Sequence, residues 1–181
     1  MNYYVKDVKS RLTQSLKKFK YFLITLIVIF IDQITKYWVN QNVQSFIQEI
    51  KIFENLNLVY VLNKGISFGF FSEMNISFYL GLISLTISFF IIYLILTTKH
   101  RIELLGLSFI LGGALGNGID RLLNHYVIDF IDFHLFKFHW PAFNFADFFI
   151  TIGAFLYLFT NLKKKNMKKK HEKKNSALKL F

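Results

Sequence analysis

The chain has 181 residues, 54% of them hydrophobic and 19% aromatic, with 23 Phe, one Pro and no Cys. A mean hydropathy of +0.38 excludes a disordered chain and is too apolar for a soluble domain of this size, which could not cover so much apolar surface; a small polytopic membrane protein remains. The net charge of +11 sits at the ends of apolar runs, where it reads as a topology signal rather than a nucleic-acid patch, and the lack of cysteine excludes a disulfide framework, a thiolate zinc site and a cysteine nucleophile.

Residues 1–20 form a basic segment with six Lys/Arg. The first apolar run, about Tyr21–Trp38, turns polar at Asp32. A signal peptide would continue into a small-residue cleavage site. Here Asp32-Gln33-Ile34-Thr35-Lys36 follows, so the run reads as a retained helix. The connection 39–75 is too long for a simple loop. Within it Ile50, Ile52, Leu56, Leu58, Tyr60 and Leu62 recur at even spacing, which predicts half-buried strand. Ile76–Leu96 is a second run, without a charge, and Ile102–Ile119 a third, with Glu103 near its start. The stretch 127–140 is rich in β-branched and aromatic residues, as in strands. The fourth run, about Phe145–Leu162, has Asp147 near its start. Each run has roughly the 17–25 residues needed to cross a hydrocarbon core. The tail 163–181 is low-complexity and lysine-rich, expected to be disordered and to lie against anionic lipid. No internal repeat or inverted symmetry of the transporter kind is visible.

These elements predict a basic cytoplasmic segment 1–20, a four-helix transmembrane domain 21–162 and a cytoplasmic tail 163–181. Of the 22 Lys/Arg, 17 lie in the two ends and the 97–101 connection. The positive-inside rule makes that side cytoplasmic, so 39–75 and 120–144 face outward. Trp38, Tyr60 and Trp140 then lie outside or at the outer interface.

A charge in or beside a span is costly and is a functional candidate by default. Asp32, Lys36, Asp120, Arg121, Asp129, Asp132 and Asp147 qualify. Asp32 and Lys36 are spaced i, i+4 and can pair within one helix. Ser108, Gly112 and Gly116 make a small-residue face for close helix approach. It would bring Asn117 and Arg121, again i, i+4, near a neighbouring helix. If Asn144 caps the fourth span, Asp147 falls at N3, as in a capping box. In an extended 127–133 stretch, Asp129 and Asp132 point to opposite faces, so only one can face Asp147. Two carboxylates at the outer surface, amid Phe and Ile, suit an acid/base dyad with one shared proton.

Other motifs fail. Gly65-Ile66-Ser67-Phe68-Gly69 fits the G-x-S-x-G elbow, which needs a large α/β sheet that cannot be built here. His134, His139 and Asp132 match no metal-ligand spacing, and no metal is expected. A proton-coupled transporter using Asp32 and Asp147 would want midplane carboxylates and repeated halves. A non-enzymatic subunit would have no use for two nearby outer carboxylates.

Together these residues resemble one family, the lipoprotein signal peptidases or signal peptidase II, over about residues 30–155. Asp32-Gln33-Ile34-Thr35-Lys36 is similar to its D-Q-x-x-K, and Asn63-Lys64-Gly65-Ile66-Ser67-Phe68 to its N-x-G-x-x-F. Gly112-Gly113-Ala114-Leu115-Gly116-Asn117 with Asp120-Arg121 resembles G-G-A-x-G-N-x-x-D-R. Val127-Ile128-Asp129-Phe130-Ile131-Asp132-Phe133 resembles V-V-D-F-I-D-F, and Phe143-Asn144-Phe145-Ala146-Asp147 resembles F-N-x-A-D.

The resemblance implies four transmembrane helices with a small extracytoplasmic β-cradle. It implies an aspartic endopeptidase of the bacterial inner membrane, cleaving diacylglyceryl-modified prolipoprotein just before the lipidated cysteine, without a cofactor. Asp129 and Asp147 map onto the catalytic pair, and Asn63, Asn117, Arg121 and Asn144 onto substrate-contacting residues. Asp32, Gln33, Lys36 and Asp120 are expected as structural polar residues. The expected partners are the lipid-modified precursor and membrane lipids, with the enzyme a monomer. Two positions depart from the family pattern: Gly118 replaces a larger apolar residue, and His125 a glycine.

Overall fold

The computed structural model describes residues 2–65 and 76–178. Ile66, Ser67, Phe68 and Gly69, which belong to the elbow-like motif and the N-x-G-x-x-F block, lie outside the described residues. The elements in chain order are helices α1 (Asn2–Gln41) and α2 (Val43–Ile47), strands β1 (Ile50–Phe53) and β2 (Leu56–Asn63), helices α3 (Ser77–Thr97) and α4 (Arg101–Asn124), strands β3 (Val127–Leu135) and β4 (Phe138–His139), and helix α5 (Phe145–Leu178). Four helical stretches are long and apolar enough to cross a membrane: Lys18–Gln41, Ser77–Thr97, Arg101–Asn124 and Phe145–Lys169. They contain the four predicted runs apart from Ile76, which is the N-cap of α3.

Helices α1 and α5 run far past the apolar runs, and the divisions at 20/21 and 162/163 fall inside unbroken helices. Neither Gly nor Pro interrupts residues 1–41 or 154–178. The tail is therefore helical to Leu178 where disorder was expected. Lys, Glu, Ala and Leu favour helix, and the apolar part of α5 already supplies the costly first turns.

Helix α4 is the centre of the bundle, with α1, α3 and α5 all packed on it. Its spanning stretch is 67% buried in protein, against 28%, 22% and 17% for those of α1, α3 and α5, whose remaining apolar faces suit lipid. The small-residue face performs the predicted close approach. A Cβ on Gly112 would meet Val28 Cβ at 2.6 Å, and one on Gly116 would meet Asp32 Oδ2 at 2.5 Å. One residue on, a Cβ on Gly113 would run into the Ala146 carbonyl at the start of α5. Gly118, the first family departure, faces Ser84 of α3, whose hydroxyl a Cβ would approach to 3.3 Å.

The strands form one antiparallel sheet in the order β1-β2-β3-β4. It lies at the end of the bundle where α1 and α4 finish and α3 and α5 begin. Val39, Phe46, Ile128 and Phe130 form the core beneath it. The even-spaced apolar pattern finds both strands of the first hairpin. Ile50, Leu58 and Tyr60 of that pattern pack on this core, and a register shift follows between Leu58 and Val61. Asn57 is buried, whereas Ile52 and Leu62 are exposed.

His125, the second departure, ends α4 in the left-handed region with φ 63° and ψ 15°. An L side chain there costs roughly 1–2 kcal/mol, and glycine escapes it but loses more chain entropy on folding. His125→Gly is expected to stabilise the fold by about 0.5–1 kcal/mol, read as a higher unfolding midpoint in detergent. A lower midpoint would show that the imidazole's approach to Phe78, ring centroids 6.1 Å apart, outweighs the backbone effect.

Candidate active site

The site forms where the start of α5, strand β3 and the last turns of α1 and α4 converge. The chain enters α5 through Trp140-Pro141-Ala142-Phe143, and this strap is tied to β3. Ile131 N–H donates to the Phe143 carbonyl at 2.9 Å, and Phe143 N–H to the Ile131 carbonyl at 3.0 Å. That tie fixes Asn144 and Asp147 relative to Asp129, two residues before Ile131.

Asn144 caps α5 and Asp147 sits at N3, closing the predicted capping box. Asp147 N–H donates to Asn144 Oδ1 at 3.0 Å, and Asn144 N–H to Asp147 Oδ2 at 3.3 Å. The second oxygen of Asp147 accepts from Asn117 Nδ2 at 2.8 Å. Asp129 accepts from Asn144 Nδ2 at 2.6 Å and from Asn63 Nδ2 at 3.0 Å. The β2–β3 register places Asn63 diagonally across from Asp129 on one face. The side chain of Asn144 thus touches both carboxyl-bearing residues.

Asp132 points the other way, as strand parity requires. It accepts from Asn57 Nδ2 at 3.2 Å and lies 2.9 Å from His139 Nδ1. The His139 ring stacks on His134 with centroids 4.8 Å apart.

Beneath the two carboxylates lies a buried polar network. Lys36 Nζ donates to Asp32 Oδ2 at 2.8 Å, Asp120 Oδ2 at 2.7 Å and Asn117 Oδ1 at 2.7 Å. Gln33 Nε2 reaches Asp120 Oδ1 at 3.2 Å and the Gly116 carbonyl at 3.2 Å. Asp32 also accepts the Ala146 N–H at 2.9 Å. It therefore anchors the start of α5 as well as pairing with Lys36, favoured by the positive end of the helix dipole.

A cavity of about 870 Å³ opens above these groups. Asp129, Asp147, Asn63, Asn117 and Arg121 supply its polar part. Leu80, Ile83 and Ile87 of α3, with Ile110 and Ile150, form an apolar wall, and the Trp140–Phe143 strap forms the rim. The polar lining is legible in the sequence and this wall is not. Helix α3 is apolar all round, so pocket-facing and lipid-facing residues carry the same signature. Arg121 Nη2 lies 3.4 Å from the Gly65 carbonyl. Its Nε is buried with no partner among the described residues.

Burial first, and the neighbouring Asp147 charge second, push the Asp129 carboxyl up to about 6. Hydrogen bonds from Asn63 and Asn144 and the charge of Lys36 partly oppose this. Such a group holds a proton in mildly acidic conditions, where an ordinary aspartate does not.

A family model described as signal peptidase (SPase) II matches residues 24–163. A lipoprotein signal peptidase of Thermodesulfovibrio yellowstonii is 43% identical over 153 residues, covering 83% of this chain and 99% of the relative. One from Francisella tularensis subsp. novicida is 40% identical over 150 residues, covering 80% and 92%. Two solved structures described as bacterial membrane enzymes share the fold. One has a TM-score of 0.74 at 30% identity, covering 82% of this chain and 91% of its own. The other has a TM-score of 0.67 at 29% identity, covering 80% and 93%.

Proposed function

The chain belongs to the signal peptidase II family of proteases, and we propose that it cleaves lipoprotein signal peptides as an aspartic endopeptidase, with Asp129 and Asp147 as the dyad. The observation that carries this reading is the pairing itself. Two carboxyl groups line one largely apolar cavity, each held by asparagine donors, and one of them is pushed up to about 6.

The chemistry follows from one proton shared by two carboxyl groups. The ionised group takes a proton from a water molecule, whose oxygen adds to the scissile carbonyl. The protonated group gives its proton to the carbonyl oxygen, producing a neutral tetrahedral diol. The C–N bond then breaks as the amine gains a proton, the carbonyl re-forms, and the pair returns to its one-proton state. Asn63, Asn117 and Asn144 hold the carboxylates in place, and Arg121 offers its donors to a peptide carbonyl or a lipid ester. Asp32, Gln33, Lys36 and Asp120 tie α1 to α4 and α5.

The substrate in this proposal is a diacylglyceryl-modified precursor, cut just before the lipidated cysteine. The basic ends and the 98–100 connection lie at the far end of the bundle from the sheet. The positive-inside rule puts that end in the cytoplasm, with the dyad on the outer side of the bacterial inner membrane. Incubation of the purified protein with a lipidated precursor peptide, followed by mass analysis, tests this. Release of a fragment beginning with the lipidated cysteine is expected. No cleavage, or cleavage elsewhere, would overturn it.

The pH dependence has a definite sign. Above about 6 Asp129 gives up the proton that the acid role needs, so kcat/KM should fall tenfold per pH unit. At lower pH a second proton enters the pair and removes the base. The result is a bell that belongs to the dyad as a whole. A profile flat from pH 5 to 9 would count against a dyad with one shared proton.

Recognition is expected to combine depth with a clamp. Each acyl CH₂ is worth ~0.8 kcal/mol in the bilayer, an energy already realised before binding, so the lipid mainly sets the height of the scissile bond. Arg121→Ala should then lower kcat/KM about 10–100-fold, the worth of one charge-assisted hydrogen bond. Arg121→Lys should restore only part, because an ammonium lacks the planar fork. Equal cleavage of lipidated and unlipidated precursors, by wild type and Arg121→Ala alike, would rule this model out.

A further inference from the structure

We propose that Lys36 is a positioning residue of the dyad: its buried ammonium fixes the orientation of the Asn117 amide, and through it the donors presented to Asp129 and Asp147. The inference rests on the aspartic reading of the site and goes beyond it, because Lys36 touches neither carboxylate of the pair.

Lys36 is 3% exposed. An ammonium has three N–H donors and no acceptor. All three are used, on Asp32 Oδ2, Asp120 Oδ2 and Asn117 Oδ1. An amide has an accepting end and a donating end, and only the accepting end can face an ammonium. Turned round, Asn117 would set N–H against N–H in a buried site and leave donors unpaired. Lys36 therefore forces the NH₂ of Asn117 toward Asp147 Oδ1, at 2.8 Å.

The constraint passes on. Asn117 Oδ1 also accepts from Asn144 Nδ2 at 3.2 Å, and the same Nδ2 donates to Asp129 Oδ1 at 2.6 Å. With Nδ2 so placed, Asn144 Oδ1 is the end left to accept the Asp147 N–H. Both asparagines thus take their direction from one cation. Holding the helices together does not by itself require that cation. The small-residue face already brings α1 and α4 into contact, and Asp32 anchors α5 through the Ala146 N–H. Buried ion pairs can often be replaced by neutral groups at little cost to stability.

The charged groups around this chain are Asp32 on α1, Asp120 and Arg121 on α4, Asp129 on β3 and Asp147 on α5. Lys36→Met alone would strand Asp32 and Asp120, so the test uses Lys36→Met with Asp120→Asn, which keeps the net charge. The readout is the pH profile of kcat/KM on a lipidated precursor peptide in bicelles. The high-pH limb is expected to move up by about 0.5–1 unit, because Asp129 loses the ordered donor and the nearby positive charge that favour its ionised form. The kcat should fall 10–100-fold with KM within twofold. Lys36→Arg, which keeps a cation facing Asn117, is expected to leave the limb where wild type has it. A folded double variant with the wild-type profile would overturn the proposal and reduce Lys36 to a helix tie. If the double variant does not fold, Lys36→Arg alone decides, and a displaced limb there overturns it. Asp129→Asn in the same assay separates the two levels. Turnover by that control would instead remove the aspartic reading beneath.

Discussion

Asp129→Asn and Asp147→Asn are each expected to lower cleavage by at least ~10²–10⁴-fold, the usual worth of general acid–base action, without preventing insertion or folding. Asparagine keeps the shape and one acceptor oxygen, which can serve one of the two donors now on each carboxylate: Asn63 or Asn144 for Asp129, Asn117 or the Asn144 N–H for Asp147. What is lost is the charge and the exchangeable proton. The double variant should be little worse than either single, because the pair acts as a unit. Stability is expected to move little. A carboxyl raised from 3.8 to about 6 by folding favours the folded state below pH ~4 and loses that contribution as pH rises through ~6. At neutral pH Asp129→Asn relieves that buried charge but leaves one asparagine donor without its acceptor, so its unfolding midpoint should stay near wild type. Asp132→Asn, on the opposite face of β3, should keep most activity. Initial rates on a lipidated precursor, with unfolding midpoints for each variant, check all of these. Substantial turnover by a well-folded Asp129→Asn would sink the assignment.

Much of this site could be read from sequence because its parts obey short-range rules. The spacing of Asn144 and Asp147 is that of a capping box, and the structure closes one. Strand parity separates Asp129 from Asp132 by three residues and hence onto opposite faces. Small residues at 108, 112 and 116 predict the close approach that α4 makes to α1. The spans follow from composition alone.

What escaped depends on partners distant in the chain, or on apolar faces that look alike. The i, i+4 spacing of Asp32 and Lys36 predicts their pairing. It says nothing of the Ala146 N–H that Asp32 caps, or of the Asp120 and Asn117 that share Lys36. Asn57 is buried with its amide on Glu49 and Asp132, partners that strict alternation cannot foresee. On α3, Ile83 and Ile87 line the cavity and Phe89 and Phe90 do not, although all four are exposed. Pocket and lipid both demand apolar side chains, so the pattern is silent on which is which. In the tail the charge run suggests disorder, but its Lys, Glu, Ala and Leu have high helix propensity and continue α5.

Asn144 combines two jobs in one side chain, and two substitutions separate them. Its Oδ1 caps α5 by accepting the Asp147 N–H, and its Nδ2 donates to Asp129 at 2.6 Å. Asn144→Ala removes both, with an expected loss of about 0.5–2 kcal/mol of stability for the cap and about 10²–10³-fold in kcat for a donor aimed at the reacting groups. Asn144→Asp keeps a good N-cap, so the unfolding midpoint should stay near wild type. It replaces the donor with an oxygen facing Asp129, and two carboxyl oxygens can sit that close only with a proton between them. The kcat of Asn144→Asp at neutral pH should therefore fall at least as far as that of Asn144→Ala, although its helix is intact. If Asn144→Asp instead turns over like wild type while Asn144→Ala does not, the residue acts through the cap alone, and the asparagine would no longer be the link that holds Asp129 and Asp147 in one proton-sharing unit.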